Sequence, residues 1–157
     1  MLTTRRPETP ALDERGREGG RPVMLATLGV PFEPTASALA VDTAVEAGQP
    51  LVVVNVVELL LAPASVVLGY ADLDDDPDDA AALRAPAELA HALGIPVERL
   101  RVQSPHPVQA LLEVAAERGP GLLVFGPQRA RMRRRAYRKA AKAVRERAAC
   151  LVWLPDS

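Results

Sequence analysis

The sequence predicts a doubly wound α/β domain, a five-stranded, mostly parallel sheet with helices on both faces in three layers. Three observations lead there. Short β-branched runs alternate along the chain with longer Ala-rich stretches of helical period. The clearest run, Leu51 to Val57 (LVVVNVV), is apolar nearly throughout, as a strand covered on both faces must be. Finally, 157 residues can build one sizeable core but not two generous ones.

The elements follow in order. Residues 1 to 21 are rich in Pro, Gly and charge without periodicity, and are expected to be a disordered lead-in to a domain over 22–157. Val23 to Thr27 is strand-like and is punctuated by Gly29 and Pro31. Residues 34 to 47 have helical spacing, with Ala38, Val41 and Val45 expected inward and Gly48 closing the helix. After the LVVVNVV strand, ELLLAPASVVLGY is open between a strand extension, a short helix and a packed loop, and DLDDDPDD is expected to be exposed. A helix is predicted from about Ala80 to Leu93, ending at Gly94, and Val97 to Val102 alternates like a strand near an edge.

Pro107 to Glu117 reads as a helix with Val108, Leu111, Leu112 and Ala115 on one face. Gly121 to Phe125 is the fourth strand, closed by Gly126. A basic helix from Arg134 to Ala148 carries Tyr137, Ala141, Val144 and Ala148 inward. Cys150 to Leu154 is the last strand, and Pro155 ends it. Helical crossovers between short apolar strands make the sheet mostly parallel. Ligands of such sheets bind beyond the carboxyl ends of the strands, where the strand order reverses. Those ends are expected at Thr27-Leu28-Gly29 and Phe125-Gly126.

Composition narrows the function classes. Hydrophobic residues make up 48% of the chain but aromatics only 3%, so a module that works by stacking bases is not expected. The net charge of −1 hides segregation: six acids lie between Asp72 and Asp79, and ten basic residues between Arg129 and Arg147. Cys150 is the only cysteine, which suits a reducing cytoplasm and excludes an internal disulfide. The N-terminal segment has no apolar stretch of a signal peptide, and no apolar run reaches the ~18 residues of a membrane helix. No membrane partner, metal or cofactor is expected.

With the elements placed, residues 22 to 155 resemble the universal stress protein family. The likeness is carried by VMLATLG, EAGQPLVVVNVVE, HPVQALLEVAAERGPGLLVFG and AACLVWLP. The resemblance implies strand order 3-2-1-4-5, dimerisation by pairing of last strands across a two-fold axis, and ATP binding in many members but not all. ATP-binding members carry an acid just after the first strand, where this chain has Leu28 and then Gly29. They also carry a phosphate loop after the fourth strand, spaced G-x-x-G, nine residues, then G followed by Ser or Thr. Here Gly126 keeps the first position, Arg129 holds the second, and the closing pair falls near Lys139-Ala140. Glycines let successive amides approach phosphate oxygens, and Arg129 brings a side chain into that space. The expectation is a non-catalytic, dimeric regulatory module of the family without standard ATP binding.

The alternative keeps an anion or nucleotide site, with slow ATP turnover, in which Arg129 and Arg131 stand in for the lost amides. The candidate cleft positions are then Thr27, Leu28, Gly29, Gly126, Arg129 and Arg131. The basic run has a plain reading too, a solvated helix face with its apolar stripe inward. Nucleic-acid contact is the weakest of its three readings, because neither interleaved aromatics nor a known motif accompanies it. The acidic run lacks the glycine and terminal Glu of a calcium-binding hand loop and is expected to be a mobile loop. His106, before Pro107, reads as a surface or capping group, and His91 as a helix-end residue. Cys150 is expected to be buried and inert. Val152 and Trp153 face opposite ways on the last strand, and homodimerisation through residues Cys150 to Leu154 would cover its edge. No catalytic pairing is recognisable, so no enzyme activity is expected.

Overall fold

A computed structural model of the chain describes residues 20–59 and 77–155. The strands are β1 (Val23–Thr27), β2 (Leu51–Glu58), β3 (Val97–Ser104), β4 (Leu122–Phe125) and β5 (Leu151–Trp153). The helices are α1 (Pro34–Ala47), α2 (Pro77–Ala92), α3 (Pro107–Arg118) and α4 (Arg134–Arg147), with a 3-10 turn at Arg129–Arg131. Every strand pairing is parallel and the order is β3-β2-β1-β4-β5. The expected fold class and strand order therefore both stand.

Alternation along the strands splits the core into two layers. Val23, Leu25, Leu51, Val53 and Val124 face α1 and α2. Met24, Ala26, Val52, Val54, Leu123 and Phe125 face α3 and α4. Residues Leu51 to Val56 are all buried, which explains the missing polar alternation in that run. Strand β3 lies at one edge and β5 at the other. Across the β3 edge, Arg118 of α3 grips Glu98 with two hydrogen bonds, Nε to Oε1 at 2.9 Å and Nη2 to Oε2 at 2.7 Å.

Several local expectations are corrected. Helix α1 buries Ala36, Ala40, Val41 and Ala44, while Ala38 and Val45 face solvent. Its sequence is apolar on nearly every side, so periodicity alone cannot select a face. Close approach to the sheet at Ala36 selects it. Helix α2 begins at Pro77, three residues before Ala80, with proline in its first turn where a missing N–H costs nothing. In α3 the buried residues are Ala110, Leu111 and Ala115, with Val108 and Leu112 only half-buried. The paired part of β5 is three residues long, and Cys150 is half-buried rather than buried. The predicted lead-in falls outside the described residues up to residue 19, as do residues 60–76 with the first four aspartates of the acidic run.

Candidate functional site

The strand order turns back between β1 and β4, so the crevice expected of a doubly wound sheet opens above their carboxyl ends. Register sets Ala26 beside Phe125, which brings Thr27-Leu28-Gly29 next to Gly126. Four of the six predicted cleft positions are thus gathered where the sequence placed them.

What those residues do there is structural. Thr27 is buried, and its hydroxyl donates to the Val30 carbonyl at 2.8 Å, closing the turn after β1. Gly29 takes a φ of +72°, the left-handed region, and its N–H donates to Asn55 Oδ1 at 2.8 Å. Asn55 is a fully buried polar residue from β2, reaching across to hold the β1–α1 turn. Leu28 packs partly buried against the layer under α3 and α4. Its side chain offers no acceptor for a hydrogen bond from a ribose or a base.

Gly126 is fixed by packing. A Cβ built on it would overlap the Cβ of Ala36 by more than an ångström, with Ala36 Cα at 3.7 Å and Leu25 Cδ1 at 3.8 Å. Its carbonyl accepts the Glu33 N–H at 2.9 Å and so anchors the start of α1. The one glycine retained from the family's phosphate loop is required here by helix-to-strand approach.

The backbone after β4 presents few donors to any ligand. The Gly126 N–H donates to Ala26 O at 2.9 Å, and Pro127 has none. Gln128 N–H donates to Pro31 O at 2.8 Å, Arg131 N–H to Gln128 O at 2.9 Å and Met132 N–H to Arg129 O at 3.1 Å. An isolated antiparallel bridge between Phe32 and Pro127 joins the same two loops. A phosphate cradle needs successive amides aimed at one point, and these are spent within the protein.

Arg129 packs on an aromatic ring. Its guanidinium sits 4.6 Å from the centroid of the Tyr137 ring, and Tyr137 stacks on Phe125 at 6.0 Å and 16°. Burial pushes the Tyr137 hydroxyl above its ordinary pKa, against the pull of Arg129 and Arg145. Arg129 lines an open concavity of about 740 Å³ with Glu33, Thr35, Arg134, Tyr137 and Trp153, beside β5. Arg131 is exposed and does not line it. The structure therefore brings Thr27, Leu28, Gly29 and Gly126 together, while Arg129 lies over Tyr137 and Arg131 is exposed. His106 is exposed at the N-cap of α3, and its N–H donates to Ser104 Oγ at 3.0 Å; His91 is exposed in the last turn of α2.

Sequence reasoning passed over two residues of this crevice. Asn55 was legible as the one polar side chain inside a run of valines. Pro127 was legible as a residue without an N–H in a loop that binds through N–H groups.

A five-stranded parallel sheet of order β3-β2-β1-β4-β5, crossed by helices on both faces, defines the doubly wound class of α/β proteins. The model of the universal stress protein family matches residues 20–154. This chain belongs to that family. It is similar to universal stress protein UspA from Lactobacillus plantarum, at 19% identity over 87% of this chain and 99% of that one, with a TM-score of 0.66. A universal stress protein from Archaeoglobus fulgidus in complex with dAMP is 16% identical over 85% and 96% of the two chains, with a TM-score of 0.58. A family protein from Arabidopsis thaliana with AMP bound is 15% identical over 85% and 89%, with a TM-score of 0.56. At these identities the likeness is one of fold. No curated protein matches the chain significantly.

Proposed function

We propose that this chain is a non-catalytic universal stress-type module, dimeric through residues Cys150 to Leu154, that regulates through protein contact and lacks the standard ATP mode. The observation that carries this reading is the use of the post-β4 amides inside the protein. Gly126, Gln128, Arg131 and Met132 donate to the chain's own carbonyls, and Pro127 has nothing to donate. Leu28 and the packing role of Gly126 support it further. The dimer is supported by the short edge strand β5, where Leu151 is 72% exposed. A lone half-buried cysteine is suited to the cytoplasm.

Solved relatives hold dAMP and AMP, so the decisive test compares nucleotides directly. Purified protein of verified helix and strand content is titrated calorimetrically with ATP and magnesium, then with AMP. No saturable heat at millimolar nucleotide is the expected result. One-site saturable binding would overturn the proposal and return Arg129 to a ligand role.

A further inference from the structure

The basic run resolves into one surface. From Arg129 to Arg147 the chain carries ten basic residues and a single acid, Glu146. On α4 the buried residues are Tyr137, Ala140, Ala141 and Val144. Arg134, Arg135, Arg138, Lys139, Lys142 and Arg145 are all exposed. Counted at about 100° a residue, these six fall within about 140° of arc, clear of the buried stripe. Five of them, Arg134 to Lys142, by themselves line a shallow depression of about 550 Å³. Among the described residues no carboxylate forms an ion pair with these six side chains, and Arg118 pairs instead with Glu98 and Glu117.

We propose that the outer face of α4 binds the phosphate backbone of duplex nucleic acid without reading its sequence. Three features select that partner. The apolar stripe of α4 is already buried in the core, so the helix has no free apolar face to insert into a lipid surface. The depression is lined by cations alone and offers no aromatic or aliphatic anchor of the kind that holds a protein partner. Arginine predominates, and its planar fork suits phosphate oxygens. A duplex carries one charge per about 1.7 Å of axis, and the stripe from Arg134 to Arg145 runs about 16 Å, so it faces several phosphates at once. The absence of stacking residues, which argues against base readout, is no obstacle to backbone contact.

The test is fluorescence anisotropy of the full-length protein with a labelled duplex of arbitrary sequence, across a salt series. If about five phosphates are neutralised, affinity falls roughly 500-fold between 50 and 200 mM salt. A scrambled duplex binds equally well. Arg138→Gln with Lys142→Gln lowers the slope of log affinity against log salt by about two, and Arg84→Gln on α2 leaves it unchanged. Lys139→Gln alone, lowering the slope by about one, serves if the pair fails to fold. No binding at 50 mM salt, a slope indifferent to the α4 substitutions, or tighter binding to anionic vesicles or polyglutamate than to the duplex would overturn the proposal.

Discussion

Replacing Gly126 by alanine tests whether that glycine serves packing or a ligand. The added methyl has no room, because Ala36 Cβ already occupies its position, and Ala36 belongs to a helix tied to Gly126 by the Glu33 N–H. Relief requires α1 to move off the sheet by more than an ångström along the layer formed with Leu25 and Val124. Overpacking of this kind costs about 1–3 kcal/mol, and a backbone-borne methyl on a helix cannot rotate away, so about 2–3 kcal/mol is expected. For a domain of this size that lowers Tm by roughly 4–12 °C. Urea unfolding of Gly126→Ala, Ala36→Gly and the double variant separates the terms. Ala36→Gly alone loses about 1 kcal/mol through helix propensity. The double variant is then more stable than Gly126→Ala alone, with a favourable coupling above about 1 kcal/mol. A Gly126→Ala protein within about 0.5 kcal/mol of the parent, or strictly additive variants, would refute the packing role.

Three further outcomes are expected. Asn55→Ala leaves the Gly29 N–H without its acceptor in a part-buried turn and loses about 1–3 kcal/mol in urea unfolding; an unchanged midpoint would show that water serves that N–H equally well. Burial pushes the Cys150 thiol above its ordinary pKa, against its own backbone N–H and Arg21. The folded state then keeps a proton that the unfolded chain loses, so this contribution is full below the unfolded thiol pKa and is lost as pH climbs through the folded value. Relative to Cys150→Ser, the parent should lose stability on raising pH through that alkaline window, and parallel curves would contradict this. Leu151→Asp, at a 72% exposed edge position, should convert a dimer to a monomer in sedimentation and remove the concentration dependence of the urea midpoint; a monomeric parent would remove the proposed interface.

The two kinds of information divide along physical lines. Short-range pattern was enough for the architecture. A valine run with no polar alternation has to lie inside a covered sheet, and the alternation of strands with crossover helices forces parallel pairing. The strand order was implied by the family likeness, whereas helix ends at Gly48 and Gly94 were legible from short-range pattern. The face of α1 was not, because a helix apolar on several sides is oriented by what it packs against, here Gly126. Nor was the fate of the cleft residues. Leu28 and Arg129 are visible in the sequence as departures from a phosphate loop. That the Gly126 and Gln128 amides are spent on Ala26 and Pro31 follows from contacts between segments about a hundred residues apart, while Arg131 and Met132 close a local turn on Gln128 and Arg129. The basic run illustrates the same limit from the other side. Its charge was plain from composition, but only burial of Tyr137, Ala140, Ala141 and Val144 fixed which side faces water and gathered six cations onto one surface. Local sequence dictates periodicity and backbone preference, whereas the partner of each polar group is set by which distant elements the core draws together.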